Sequence, residues 1–127
     1  MNGILVVNKP AAISSAGVVA HVKRLLAAGR VGHTGTLDPF ARGVLVCCVN
    51  QATRVARFML QGRKAYAAVM TLGVETDTQD VTGRVVARGD WTGISEAAIV
   101  AAVRRFEGAI AQAPPVFSAL KHEGVPL

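Results

Sequence analysis

The residues of this chain best suited to chemistry lie in one glycine-rich stretch, residues 32–43, which contains a single carboxylate, Asp38. Because Pro39 disfavours helical geometry in the residue before it, the backbone at Asp38 is predicted to be extended. A carboxyl group with an ordinary pKa of about 3.9 is ionised at pH 7. It needs no activating partner to act as a nucleophile or a base. The stretch therefore predicts a reactive Asp38 that projects from a defined backbone.

A structural interpretation of the same residues competes with the chemical one. Asp38 could be the N-cap of a short helix, with Pro39 as its first residue and Gly43 as its stop. The carboxylate oxygens would then accept hydrogen bonds from the amides that follow in the chain. The two interpretations differ in the contacts that they predict for the carboxylate. The sequence leaves both open.

Positive charge is concentrated around this stretch. From Lys23 to Lys64 there are eight basic residues and one acid, a net charge of +7. From Ala65 to the end there are five basic and seven acidic residues, a net charge of −2. A basic segment is typical of proteins that bind a polyanion, most often nucleic acid, and a solvated surface is the alternative. Aromatic residues make up 5% of the chain, which argues against a single-strand binder built on rows of stacked rings.

Composition indicates a folded protein of a reducing compartment. With 127 residues, 51% hydrophobic and 17% charged, the chain is one domain or part of one and is not a disordered sequence. The apolar run Val44–Val49 is too short to cross a membrane, and the N-terminus lacks the pattern of a secretion signal. Cys47 and Cys48 are adjacent, so on a strand they face opposite ways and are predicted to be buried, reduced thiols rather than metal ligands. We expect a cytoplasmic location, no metal and no membrane partner.

The elements that must position Asp38 follow from apolar periodicity. Strands are predicted over residues 3–7, 44–49, 64–72 and 84–87. Helices are predicted from Ser14 or Ser15 to about Ala28, over Thr53–Leu60, and over Glu96–Phe106 after a Ser95 cap. Gly29 is predicted to stop the first helix, and Ile99, Ala102, Val103 and Phe106 are predicted to face inward from the third. Residues 30–43 and 73–83 are expected to be loops, and Ala113–Phe117 to be extended. Alternating strands and helices indicate a mixed α/β or α+β class.

Four sequence blocks, taken in order, resemble the signature of the TruB family of tRNA pseudouridine synthases. The blocks are Val7–Pro10 with Ser14-Ser15, Gly32–Leu45 around Asp38, Lys64-x-Tyr66 through Leu72-Gly73 to Thr76–Gly83, and Pro114–Lys121 with Gly124 and Leu127. The resemblance spans the whole chain. It implies an α+β pseudouridine-synthase catalytic domain, with a central, mostly antiparallel sheet flanked by helices, incomplete here.

The resemblance also implies an activity, the isomerisation of uridine 55 to pseudouridine in the T loop of tRNA. Asp38 matches the catalytic aspartate, which attacks either C1′ of the ribose or C6 of the base, and the sequence leaves that choice open. The glycosidic bond breaks, the uracil rotates and C5 joins C1′, so no cofactor is needed. A stacked base must first be flipped out, and Tyr66 matches the tyrosine that stacks on it.

Further substrate-binding residues are implied by the same blocks. His33 matches a histidine that contacts the rearranged T loop, and Asp80 matches an acidic residue that orients a catalytic arginine. The other implied substrate-binding residues are Lys9 and Lys64, as phosphate or electrostatic contacts, and Gly35, Thr36 and Leu37 of the Asp38 stretch.

The resemblance covers only the first part of a typical family member. Residues 1–127 are therefore expected to be the N-terminal part of the catalytic domain, with its remainder and any C-terminal RNA-binding domain absent. In the family a later strand supplies an arginine that pairs with the catalytic aspartate, and no arginine here matches it. We expect the chain alone to be inactive and its sheet to have an unpaired edge. It is interpreted as a truncated protein, the product of a broken gene, or a fragment completed by a second chain. A non-catalytic RNA-binding or tRNA-folding module, or a gene remnant, is the alternative.

Overall fold

The computed structural model describes residues 1–112, 121–122 and 125–126. The chain divides into two compact units, Met1–Tyr66 (the first unit) and Ala67–Leu127 (the second unit). Both units contain antiparallel strands, and α-helices accompany them. This confirms the predicted mixed α+β class.

The first unit is built on a three-stranded antiparallel sheet in the order β1–β3–β2. Its strands are β1 (Gly3–Lys9), β2 (Val31–His33) and β3 (Gly43–Val49). The β3 strand is central, and it pairs with β1 from Gly3↔Val49 to Lys9↔Gly43. The prediction of a loop over residues 30–43 was wrong at its start, because β3 supplies hydrogen-bonding partners for Val31–His33. Residues 34–42 join β2 to β3 and carry Asp38.

A small apolar core joins this sheet to helix α1 (Ser15–Leu25). Val18 and Val22 lie one helical turn apart and are 5% and 4% exposed. They belong to one buried cluster with three β3 residues, namely Leu45, Cys47 and Val49. The core therefore fixes the helix relative to the strand that follows the Asp38 loop.

The N-terminus of α1 agrees with prediction and its C-terminus does not. Ser14 is the N-cap, and its Oγ accepts a hydrogen bond from the Gly17 amide at 3.0 Å. The helix ends at Leu25, and Ala27 takes the left-handed conformation with a φ of 45°. The Ala27 and Ala28 amides donate to the carbonyls of Arg24 and Lys23, which closes a Schellman-type end. The predicted stop at Gly29 was wrong because an alanine makes this turn two residues earlier.

The two cysteines are buried on opposite faces of β3. Cys47 and Cys48 are both 0% exposed, and both are free thiols. Burial raises the pKa of each thiol, and the neighbouring Cys48 raises the pKa of Cys47 further. The prediction of buried, reduced cysteines is confirmed. After β3, the single helix predicted over Thr53–Leu60 is instead a 3₁₀ helix, Asn50–Arg54, followed by α2, Ala56–Leu60.

The second unit contains a hairpin-like pair, a helix and a short terminal pair. β4 (Val74–Thr76) pairs antiparallel with β5 (Val85–Arg88), which places a strand inside the loop predicted over residues 73–83. Helix α3 (Glu96–Arg104) begins after Ser95, whose Oγ accepts from the Ala98 amide at 3.2 Å, as predicted. β6 (Lys121–His122) pairs with β7 (Val125–Pro126).

Two predictions for this part of the chain were wrong. Residues 64–72 do not form a strand, because no strand of the described ranges pairs with them, and an extended segment without a ladder is not a strand. The predicted inward face of α3 is not buried, since Val103 is 55% and Phe106 72% exposed. No residue from 67 to 112 is buried. The segment Ala113–Phe117, predicted to be extended, lies outside the described residues.

None of the helices within the described ranges combines the length and the hydropathy that crossing a membrane requires.

Candidate active site

Asp38 lies at the start of a tight turn, residues 38–41, which we call the Asp38 turn. The Ala41 amide donates to the Asp38 carbonyl at 3.0 Å, with Pro39 at the second position of the turn, where its fixed φ is favoured. No helix follows. Within the described part of the chain, the exposed Asp38 carboxylate has no hydrogen bond and no salt bridge. The N-cap interpretation is therefore wrong, and the carboxylate is directed to no group of its own unit.

The residue after Asp38 is held by a buried lysine. Lys9, at the end of β1, is 0% exposed. Its Nζ donates to the carbonyls of Pro10 at 2.9 Å, Ile13 at 2.6 Å and Pro39 at 3.2 Å. The Ala12 amide also donates to the Pro39 carbonyl, at 2.8 Å. The Asp38 turn is thus attached to the segment that joins β1 to α1.

This arrangement argues against a phosphate contact by Lys9, one of its two predicted roles, while the electrostatic role stays a prediction. An ammonium group has three N–H donors, and here all three are directed to backbone carbonyls. None remains for a phosphate in this structure. Lys9 therefore acts on the Asp38 turn through the backbone.

The residue before Asp38 is held by a buried serine. Ser15, the first residue of α1, is 2% exposed. Its Oγ donates to the Leu37 carbonyl at 3.0 Å and accepts from the Leu37 amide at 2.9 Å. The Leu37 side chain packs against the edge of the apolar core. Ser15 was recognised only as part of a motif, because nothing in the local sequence indicates a contact with a residue 22 positions away.

His33 and Gly35 lie where β2 turns into the Asp38 loop. The Gly35 amide donates to His33 Nδ1 at 3.4 Å. The Thr34 amide donates to the Val46 carbonyl at 3.0 Å and keeps this end of the loop on the sheet. His33 is half-buried and Thr36 is exposed, so both are at least partly accessible to solvent.

Lys64 lies against the same loop, and Tyr66 is exposed in the same unit. The Lys64 Cε atom is 3.6 Å from the position that a Cβ atom on Gly35 would occupy. Its Nζ donates to the carbonyls of Leu60 at 2.7 Å and Gly62 at 3.4 Å, at the C-terminus of α2. Lys64 is itself exposed, and Tyr66 is 70% exposed. The structure therefore brings Lys64 to the predicted loop and leaves the Tyr66 ring exposed to solvent.

Asp80 belongs to the second unit and is bound within its own turn. Its Oδ1 accepts from the Thr82 hydroxyl at 2.6 Å, the Thr82 amide at 2.8 Å and the Thr78 hydroxyl at 2.8 Å. The hydrogen bonds from Thr82, and then the one from Thr78, lower the pKa of Asp80. The neighbouring Asp77 forms a 3.5 Å salt bridge with Arg84. The described residues show no arginine on Asp80, so its orienting role stays a prediction.

The lowered pKa of Asp80 predicts an acid-dependent loss of stability. The ionised group stabilises the fold above its ordinary pKa of about 3.9, and this contribution disappears as the pH falls through the lowered folded value. We expect Thr82→Val to raise the pKa of Asp80 and to lower the unfolding free energy at pH 7, with a smaller difference from wild type near pH 2. Urea denaturation across this range, with an NMR titration of the carboxyl carbon, measures both.

Thr92→Val is the matched control, because Thr92 makes the same two hydrogen bonds to Asp90 in another turn. It should leave the titration of Asp80 unchanged. An unaltered Asp80 titration in Thr82→Val would contradict the assignment.

The basic residues of the first unit are presented to solvent. All eight between positions 23 and 64 are exposed. Within the described ranges the single salt bridge is the one between Asp77 and Arg84, so these eight charges are not neutralised by ion pairs there. The Arg57 guanidinium lies 4.7 Å from the centre of the Phe58 ring. No group of three or more potential metal ligands occurs in the described part of the chain.

Comparison with known proteins identifies the class. The sequence profile of the TruB family pseudouridylate synthases (N terminal domain) matches residues 23–127. The chain belongs to this family, and the resemblance inferred from its motifs is confirmed.

Individual relatives agree with the family assignment. The chain is 46% identical over 129 residues to tRNA pseudouridine synthase B of Bordetella avium, covering 100% of this chain and 53% of the relative. It is 49% identical over 127 residues to tRNA pseudouridine synthase B of Geotalea uraniireducens, covering 100% of this chain and 41% of the relative. The chain thus spans about half the length, or less, of these curated relatives.

A solved structure shares the fold. A chain of a crystallised Cbf5–Nop10–Gar1 complex is similar with a TM-score of 0.62 and 30% sequence identity. The match covers 94% of this chain and 31% of that chain. The architecture described above is therefore that of part of a pseudouridine-synthase fold.

Proposed function

We propose that this chain is the N-terminal part of the catalytic domain of a tRNA pseudouridine synthase acting on uridine 55 of the T loop. The proposal rests on the setting of the Asp38 carboxylate, which is exposed and has no partner among the described residues. The residues on either side of it, Leu37 and Pro39, are anchored by buried side chains. A nucleophilic carboxylate must be accessible, ionised and fixed in position. The relatives named tRNA pseudouridine synthase B support the substrate class.

Access to the target uridine requires that it leave the stack of the loop. Extruding a base costs a few kcal/mol, and stacking on one aromatic face returns about 1–3 kcal/mol. The exposed ring of Tyr66 is suited to that contact, and the half-buried His33 is suited to the loop from which the base departs. Lys64, which lies against Gly35, is suited to a phosphate of the same loop.

The proposed reaction is an isomerisation. The Asp38 carboxylate adds to the nucleoside, at C1′ or C6, and the bond from C1′ to N1 breaks. The uracil rotates and C5 bonds to C1′. The bond between Asp38 and the nucleoside then breaks and regenerates the carboxylate, while C5 loses its proton to solvent and N1 gains one. Because no electrons or groups are gained overall, we propose that no cofactor takes part.

The partners follow from the same proposal. The T stem-loop of tRNA is the substrate, and the region of the relatives that this chain does not match supplies the rest of the catalytic domain. That region is also the proposed source of an arginine for Asp38. Whether it is joined to this chain or is a second polypeptide does not change the chemistry.

A proton-release assay tests the activity. We define the completed enzyme as this chain joined to the part of the Geotalea uraniireducens relative outside the matched residues. Incubated with T-loop RNA labelled with tritium at C5 of uridine, it should release tritium to water, one per pseudouridine formed. A folded completed enzyme that binds this RNA without releasing tritium would refute catalysis.

A non-catalytic RNA-binding module is the second candidate. It is favoured by the eight exposed basic residues between positions 23 and 64 and their lack of ion pairs within the described ranges. Binding without tritium release would support it.

Both functions predict that exposed basic residues of the first unit contact phosphate. Arg54 and Arg57 are exposed in the 3₁₀ helix and α2, the segment that leads to Lys64. Replacing both with alanine should weaken binding of T-loop RNA and reduce the slope of log Kd against log salt by about 1.5–2, since each lost phosphate contact removes nearly one unit. Fluorescence anisotropy across a salt series measures the slope.

The control is the double substitution of Arg104 and Arg105, which removes the same charge from exposed positions in the second unit. Equal slopes for the two double variants would show that general electrostatics, rather than contact by Arg54 and Arg57, accounts for binding.

A further inference from the structure

We propose that Ser15 is a positioning residue for Asp38, an inference that rests on the proposed role of Asp38 as nucleophile. The Ser15 hydroxyl satisfies both backbone groups of Leu37, as donor to the carbonyl at 3.0 Å and acceptor from the amide at 2.9 Å. The backbone amide and carbonyl of an extended residue need hydrogen-bonding partners, which a neighbouring strand usually supplies. Here one side chain supplies both. The residue so fixed is the one immediately before the nucleophile.

The serine is itself rigidly placed. It is 2% exposed and begins helix α1, whose residues Val18 and Val22 are buried in the core of the first unit. The same core contains Leu45 and Cys47 of β3, the strand that follows the Asp38 loop. Ser15 therefore fixes the Leu37 peptide relative to the packed helix and sheet.

Asp38 depends on this support because its side chain has no hydrogen-bonding partner of its own in the described ranges. The direction of its carboxylate is therefore set by the backbone on either side. Pro39 is held through its carbonyl by Lys9 and Ala12, and Leu37 is held by Ser15. Without the hydroxyl, the Leu37 amide and carbonyl would turn toward other partners and the Cα–Cβ bond of Asp38 would rotate with them.

Misplacement of a nucleophile acts on the chemical step more than on binding. A shift of about 1 Å can cost on the order of 100-fold in rate. An interaction that matters only in the transition state lowers kcat and kcat/KM together. A serine that merely stabilised the fold would change neither quantity once the protein was folded.

The adjacent serine provides a matched control. Ser14 also makes a hydrogen bond at the start of α1, but its partner is the Gly17 amide within the helix. In the completed enzyme we expect Ser15→Ala to lower kcat about 10- to 100-fold, with KM for T-loop RNA changed by less than about threefold. Ser14→Ala should lower the melting temperature and leave kcat unchanged, and Ser15→Thr, which retains the hydroxyl, should restore much of the rate.

Amide hydrogen exchange in the unmodified protein gives a second, independent test. The Leu37 amide should be protected relative to that of Thr36, and Ser15→Ala should remove the protection. An unprotected Leu37 amide would overturn the proposal whether or not the variant folds. Unchanged kcat of Ser15→Ala in an active completed enzyme would also overturn it, whereas an inactive unmodified enzyme would count against the proposed function instead.

Discussion

Asp38→Asn is expected to lower the formation of pseudouridine by at least about 10⁴-fold and to leave RNA binding within about threefold of the unmodified protein. The asparagine side chain has the same shape but is neutral and not nucleophilic at any pH of the assay. Since the Asp38 carboxylate makes no hydrogen bond and no salt bridge within the first unit, its replacement disturbs neither kind of interaction there. The effect on rate should therefore be separable from any effect on folding.

Tritium release by the completed enzyme measures the rate, and anisotropy with the same T-loop RNA measures binding. Asp90→Asn is the matched control, because it removes the same charge from a second exposed turn, where Asp90 accepts two hydrogen bonds from Thr92. It should retain the full rate. If Asp38→Asn retained full activity, the nucleophile would have to be another residue.

The same variant separates the two candidate functions. An RNA-binding module would bind T-loop RNA equally with either residue at position 38 and would release no tritium in either case. An enzyme would release tritium only when position 38 is aspartate. The distinction does not depend on how much of the rate an arginine from outside this chain contributes.

The elements predicted well are those whose signals are local. β3 was recognised from the apolar run Val44–Val49, and the helix starts at Ser14 and Ser95 were recognised from residue type. In each case the side chains that determine the structure lie within a few positions of one another. A capping serine needs only the amide of the second or third residue that follows it.

The elements predicted poorly depend on partners far along the chain. β2 and β4 are three residues long and exist because β3 and β5 lie beside them. The end of α1 depends on a left-handed alanine, which residue preference would place at a glycine. Residues 64–72 have the composition of a strand but no neighbour in the described ranges, and composition alone does not supply one.

Within the candidate site, too, the features with a local signal were predicted and those that depend on distant partners were not. The isolation of Asp38 among basic residues and its place before a proline were visible in the sequence, and its exposure agrees with them. The tasks of Lys9 and Ser15 were not visible, because their partners Pro39 and Leu37 are 30 and 22 residues away. A lysine next to a proline-containing loop is normally solvated, and only the folded chain shows three carbonyls around it.

Because Lys9 donates hydrogen bonds to three backbone carbonyls, we expect Lys9→Met to lose much of the stability of the protein. Methionine keeps the length and most of the volume of the side chain, so the cavity left behind is small. The carbonyls of Pro10 and Ile13 lose a charged donor, while that of Pro39 keeps the Ala12 amide. Hydrogen bonds to charged groups contribute about 1.5–3 kcal/mol each. After allowance for the relief of burying an ammonium group, we expect the unfolding free energy to fall by about 3 kcal/mol.

Urea denaturation measures this loss. Lys23→Met is the control, because Lys23 is exposed near the end of α1. Its replacement should lower the unfolding free energy by less than about 0.5 kcal/mol. A Lys9→Met variant as stable as wild type would mean that burying the charge costs as much as its hydrogen bonds return. With Lys9→Met folded, the Pro39 carbonyl would be held by Ala12 alone, so the completed enzyme should also lose rate. Loss of rate with KM little changed would place Lys9, like Ser15, among the residues that hold the peptides on either side of Asp38.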